Sequence, residues 1–250
     1  MGQSLENPWL AISFFIVALV YAAVGQAGAS GYIAIMGVLG VPAAAMKTSA
    51  LALNLVVAAI ATLQFWRLRK LSWKAAYPFA ILGFPFSLLG GAVHLPTHIY
   101  YPAIGVVLVL SATVMMRSAI SRPSPANDHG VAPPFMPALL TGAAIGFVSG
   151  TTGTGGGVFL APIIIAMGWA SPRQTATTTA VYNLVNSAAA LIGAHRIWAA
   201  MPSEISAWIV AVAIGGMIGA FLGSRYLPDR WLRAILAVLL LISGAKLLVS

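Results

Sequence analysis

Apolar residues run along this chain in long blocks, not in amphipathic stripes. Blocks at 48–66, 75–93, 99–116, 177–195, 205–224 and 231–249 each hold about 20 residues, enough to cross a hydrocarbon core of ~30 Å as a helix. The pattern predicts an all-α integral membrane protein, because sheet edges and loops facing lipid leave backbone groups unsatisfied. One further block, 138–168, is broken by "GTTGTGGGV" at 150–158. As a single helix it would be about 46 Å long, whereas its flanks, 138–149 and 158–168, reach only about 18 and 16 Å. The flanks read as two half-helices meeting at a glycine-rich turn.

The blocks repeat. "TSALALNLV" (48–56) aligns with "TTTAVYNLV" (177–185), placing Asn54 on Asn183. "LGFPFSLLGGAVHLP" (82–96) aligns with "IGGMIGAFLGSRYLP" (214–228), placing Gly83 on Gly215, Gly91 on Gly223 and Pro96 on Pro228. Ser111 then falls on Ser243, and "GQAGASGYI" (25–33) on "GTTGTGGGV", with the offset drifting from 125 to 132. The polar, proline-rich "SRPSPANDHGVAPP" (121–134) separates the copies. The expected organisation is one membrane domain over 1–250: repeat one at about 9–118, a linker at 119–136, and repeat two at about 137–249. Each repeat would be a glycine-broken helical hairpin followed by three membrane-spanning helices.

Composition agrees. The chain is 60% hydrophobic and 7% charged, with mean hydropathy +0.94, against about 25% charged residues in soluble domains. The net charge of +9 does not point to nucleic acid, because the basic residues sit in short loops beside the spans. If each broken segment crossed once, the halves would be parallel. Arg67, Arg69, Lys70, Lys74, Arg117, Arg122, Arg196 and Lys246 would then face Lys47, Arg173, Arg225, Arg230 and Arg233 across the membrane. If it turns back, the halves are inverted. All the basic residues except Lys47, Arg196 and Lys246 then share one side, which satisfies the positive-inside rule far better. Inverted repeats are therefore expected, with the linker cytoplasmic and both termini periplasmic. The N-terminal segment mimics a signal peptide but lacks a positive n-region, and residue 1 is read as the start of the membrane domain. There are no cysteines, which excludes thiolate chemistry and disulfides; no cofactor or metal is expected.

Inverted repeats with broken helices point to transport around a mid-membrane site, and the chemistry of the break suits an anion. Consecutive glycines let amides converge, and the half-helix starting near Val158 adds free N–H groups and a positive dipole end. The candidate binding residues are Thr151, Thr152, Gly153, Thr154, Gly155, Gly156 and Gly157, with Gln26, Gly28, Ser30 and Gly31 in the first half. Thr179, Asn183 and Asn186 form one polar stripe on an otherwise apolar helix, and Thr48, Ser49 and Asn54 are its counterparts. Of these, Thr179, Asn183 and Asn54 join the candidate set, since polar groups at this depth usually face a cavity or the bundle interior.

Plainer readings compete. The glycines could serve close helix packing, the better reading for Gly83, Gly91, Gly215, Gly219 and Gly223, and the Asn and Thr residues could be interhelical glue. Lys47 and Arg173 read as interfacial anchors, and the four histidines as surface residues near loop ends. Most tryptophans sit near span ends, as in an interfacial belt. The four acids, Glu6, Asp128, Glu204 and Asp229, lie at or near loops, leaving no carboxylate proton relay. "GTTGTGGGV" lacks the Lys-Ser/Thr of a P-loop.

The motif "GTTGTGGGVFLAPIIIAMG…ATTTA" and its degenerate first-half copy, "GQAGASGYIAIMG", resemble the sulfite exporter TauE/SafE family over about residues 10–249. The resemblance implies movement of sulfite, sulfonates or related organosulfur anions across a bacterial inner membrane. The partners it leads us to expect are that small anion and the lipid bilayer, with no nucleic acid, and a homo-oligomer stays open. Two other classes compete with it. One is a non-transporting membrane scaffold; the other is an intramembrane hydrolase using Ser149 with His195.

Overall fold

The computed structural model describes residues 8–23, 25–68, 71–120, 133–170, 172–223 and 229–249. The described residues form ten α-helices: α1 Pro8–Ala23, α2 Ala29–Val38, α3 Ala43–Arg67, α4 Trp73–Ala92, α5 Thr97–Ile120, α6 Phe135–Thr152, α7 Gly157–Ala166, α8 Pro172–Gly193, α9 Ile205–Gly223 and α10 Asp229–Val249. A 3₁₀ turn, Ala194–Ala200, joins α8 to α9. Among the described residues there is no strand, and α3, α4, α5, α6 and α9 are long and apolar enough to cross a membrane. The linker residues 121–132 lie outside the described residues.

One expected length was wrong. The segment before the glycine break is not a 12-residue piece but α6, with 18 residues, about 27 Å. Thr151 and Thr152 are accommodated in its last turn with their hydroxyls donating back to the carbonyls of Phe147 and Val148, both at 2.8 Å. The return helices are short at both ends for one reason. Gly28 and Gly156 start α2 and α7 with φ of 98° and 80°, and Gly40 and Gly168 follow them with φ of 69° and 65°. At the far ends the amides of Val41 and Trp169 bond the carbonyls of Met36 and Ile164, both at 3.0 Å, the geometry of a Schellman stop.

Small residues set how the helices meet. Gly142, Gly146 and Gly150 of α6 lie on the carbonyls of Phe79, Gly83 and Ser87 in α4, and Gly215 and Gly219 of α9 lie on those of Phe15 and Leu19 in α1. Both partners advance together along each seam, so α4 and α6 run parallel, as do α1 and α9. α8 also runs parallel to α6: Tyr182 donates to the Gly142 carbonyl at 2.8 Å, and further along Asn186 Nδ2 donates to Ser149 Oγ. Because α6 and α8 point the same way, α7 between them is a return leg. α2 folds back on α1 likewise, with Gly31 against Val17 and Tyr21 and Tyr21 Oη 2.9 Å from Ser30 Oγ. The packing reading of Gly83, Gly91, Gly215 and Gly219 holds; Gly91 presses on the Ala190 carbonyl of α8.

Apolar side chains face outward along the spans, including Ile81, Leu110, Val210 and Phe221, while buried polar residues gather inside on α3 and α8. Trp9, Trp66, Trp73 and Trp198 are exposed near helix ends, whereas Trp208 is buried edge-on to Phe14.

Candidate functional site

Two glycine turns, 25–28 and 153–156, sit inside the bundle. Each is held by an asparagine two helices' length along its own half. Asn54 Oδ1 accepts from the Ala29 amide at 2.9 Å, and Asn183 Oδ1 accepts from the Gly157 amide at 2.8 Å. These are the first amides of α2 and α7, so each asparagine satisfies one of the donors a helix N-terminus leaves free. Both side chains are buried. The equivalence fixes a register that the sequence alignment missed. Gly25, Gly28, Ala29 and Gly40 correspond to Gly153, Gly156, Gly157 and Gly168, 128 residues apart and not 125. Gly150 therefore belongs to the α4 seam and not to the turn.

The two turns meet through the opposite half. Asn54 Nδ2 donates to Ser187 Oγ of α8 at 2.8 Å, and any side chain at Gly155 would strike the Asn54 amide. Gly153 rests on the backbone and Cγ of Lys47, while Gly25 rests on Ala176. On the other side of the second turn, Asn186 Nδ2 donates to the Gly155 carbonyl at 3.2 Å as well as to Ser149 Oγ. Gly153, Gly155 and Gly156 have φ of 85°, 77° and 80°, a region that costs other L-residues about 1–2 kcal/mol each.

The expected hydroxyl donors are mostly committed elsewhere. The Thr151 and Thr152 protons go to their own helix, and Thr154 Oγ1, 3.0 Å from Thr152 Oγ1, donates to that oxygen. Thr179 turns back on the carbonyls of Thr175 and Ala176, and Ser30 pairs with Tyr21. Gly31 packs against α1, and Gly28 lies against the Tyr32 ring, whose hydroxyl donates to the Ala27 carbonyl at 3.2 Å. What the second turn can offer an anion is backbone: among the described residues the amides of Thr154, Gly155 and Gly156 donate to no protein group. The dipole ends of α2 and α7 point the same positive character into this region, with no acid in either first turn. Among the described residues, the buried polar atoms without a partner include Gln26 Oε1 in the first turn, Asn186 Oδ1 beside the second, Ser49 Oγ on α3 and Thr178 Oγ1 on α8.

Lys47 is not an interfacial anchor. It is 3% exposed, the only buried Lys or Arg among the described residues. Its Nζ donates to the carbonyls of Gly90, Gly91 and Val93 at 3.2, 2.9 and 2.8 Å, capping the C-terminus of α4, where a cation also meets the negative dipole end. The Arg173 side chain lies outside the described residues. His94, His98 and His195 are exposed as expected, and His129 lies outside the described residues. Ser149 bonds the Gly146 carbonyl and Asn186, whereas the His195 ring sits on the Ile192 carbonyl, so the two do not form a catalytic pair.

The profile of the family described as Sulfite exporter TauE/SafE matches residues 10–247. The chain belongs to that family. It is also similar to a protein of Sinorhizobium fredii (strain NBRC 101917 / NGR234) described as "Probable membrane transporter protein y4hK", with 59% identity over 239 residues, 96% of this chain and 97% of the relative. No solved structure matches it. This TauE/SafE member is thus a multi-pass membrane transporter whose two glycine turns lie among its buried polar residues. Sequence reasoning missed Ser187 and the Lys47 cap, and it placed Asn186 in the polar stripe without assigning it to the site. The dense polar run "YNLVNSA" in an apolar helix was the available signal for Asn186 and Ser187.

Proposed function

We propose that the protein is a secondary transporter, an exporter or facilitator, that moves a small organosulfur anion such as sulfite or a sulfonate across the bacterial inner membrane by alternating access. The observation that carries this reading is the paired arrangement of turns: two short return helices start at glycines of positive φ, each clamped by a buried asparagine, and the turns converge around Asn54, Gly155 and Asn186. Free amides at helix N-termini bind oxyanions without a carboxylate or metal. Family membership supports the sulfur chemistry. The two sets of five helices act as inverted repeats about this centre, a reading supported by the parallel courses of α4, α6 and α8 and by the exchanged α1–α9 and α4–α6 seams.

Purified protein in proteoliposomes, challenged with sulfite, sulfate, thiosulfate, short alkylsulfonates and sulfoacetate against carboxylate controls, tests it. Saturable flux of a sulfur anion, lowered by Gly156→Ala, is the expected result. That substitution adds backbone strain and a Cβ 2.9 Å from Tyr182 Cε1 and 3.0 Å from Asn186 Nδ2. Absence of flux with every sulfur anion would remove the substrate class. Unchanged flux in the variant would favour the glycines as packing elements.

A further inference from the structure

Asn186 stands at the second turn, and the anion reading leaves its side-chain oxygen unused. It is 1% exposed. Its Nδ2 faces the Gly155 carbonyl and Ser149 Oγ, and because a carbonyl only accepts, the amide cannot be flipped. Its Oδ1 is therefore an acceptor, fixed beside the turn and buried without a partner. Buried acceptors in folded proteins are nearly always bonded, and one left open invites a ligand or ordered water. An oxyanion that bears only acceptor oxygens cannot satisfy it.

The first half has no such group at the equivalent position on α3; its own unpartnered amide oxygen, Gln26 Oε1, belongs to the turn itself. The register that pairs Asn54 with Asn183 places Val57 opposite Asn186, and Val57 packs against Gly216. Ser49 and Thr178, by contrast, fall on each other in the same register, and both hydroxyls are buried and unpartnered. The free turn amides can serve anionic oxygens; the Asn186 amide oxygen beside the α7 turn needs a donor.

We propose that the α7 turn selects an anion carrying its own hydrogen-bond donor, a hydroxyl or amine on the same small molecule as the charged oxygens, and that Asn186 Oδ1 accepts from that donor. The proposal rests on the anion reading above and narrows it. A site built to bond a hydroxyl rejects the isostere lacking one far more strongly than an apolar pocket separates two alkyl groups.

Isosteric pairs test it by calorimetric binding to the purified full-length protein in detergent: isethionate against 1-propanesulfonate, and glycolate against propionate. Roughly tenfold tighter binding of the hydroxylated member is expected. Ser149→Ala, which removes one Nδ2 partner and leaves Oδ1, should keep that preference, and Asn186→Leu should erase it. Equal affinities within a pair for the wild-type protein overturn the proposal, and that measurement stands whether or not the leucine variant folds. A preference that survives in a folded Asn186→Leu variant overturns it as well. Discrimination in the carboxylate pair with no sulfonate binding upholds the donor requirement while removing the sulfur class. Failure of all four probes to bind overturns the donor requirement, while the anion reading stands or falls on the sulfur-anion flux above.

Discussion

Asn54 offers the sharpest separation of folding from transport. Replacing it with Ala removes the bonds to the Ala29 amide and Ser187 Oγ, each contributing about 1 kcal/mol net, and strands a buried amide at a further ~1–3 kcal/mol. Polar pairs inside membrane bundles average nearer ~0.6 kcal/mol, so the total expected is about 2–4 kcal/mol. For a chain of this size that lowers Tm on the order of 10 °C. Asn54→Asp behaves differently. Aspartate can still accept from the Ala29 amide, the α2 dipole favours its charge, and Ser187 can donate to it in place of accepting, which offsets part of the cost of burying a carboxylate. Its carboxylate, however, stands where the two turns converge. Against a bound anion at ~6 Å and an effective dielectric constant of ~20, the repulsion is about 3 kcal/mol, roughly 100-fold in affinity. Thermal unfolding in detergent and proteoliposome flux measure the two effects separately. An Ala variant as stable as the parent would refute the clamp, and an Asp variant with full anion flux would refute the placement of the anion.

Lys47→Met should leave the Gly90, Gly91 and Val93 carbonyls at the end of α4 without their charged donor. Since bonds to charged groups contribute about 1.5–3 kcal/mol, a loss of several kcal/mol in detergent unfolding is expected, and an unchanged Tm would mean that the cap is idle. Gly146→Leu places a side chain where the first carbon already falls 2.6 Å from the Gly83 carbonyl; overpacking of this kind costs ~1–3 kcal/mol or more, visible as reduced yield and Tm. For topology, a cysteine introduced at Ser124 in this cysteine-free chain should resist impermeant maleimide in intact cells and react after permeabilisation. Labelling from outside would overturn the inverted arrangement.

The spans were legible because hydrocarbon thickness imposes one length, and α3, α4, α5, α8, α9 and α10 follow the apolar blocks closely. The glycine motif was legible as a break but not in register. Identity alone does not tell Gly153, with φ of 85°, from Gly150, which meets the Ser87 carbonyl. The four-residue spacing of Gly142, Gly146 and Gly150 carried that distinction. The threonines carry an ambiguity that sequence leaves open: their hydroxyls can serve a ligand or their own helix, and here those of Thr151, Thr152 and Thr179 donate to carbonyls four residues back. Lys47 was unreadable as a cap because its partners lie 43 to 46 residues along the chain.

The seam between α1 and α9 has a consequence for how the molecule is made. Phe15 meets Gly215 and Leu19 meets Gly219, so α1 meets this glycine seam only 200 residues later in the chain. At ~5–20 residues per second that is a wait of about 10–40 s, during which the opening hairpin stands in the bilayer without its glycine partner. The second half reverses the order: α4 is already in place when α6 emerges. The two glycine seams therefore close in different orders: the α4–α6 contact can form as soon as α6 is made, whereas the α1–α9 contact waits for α9.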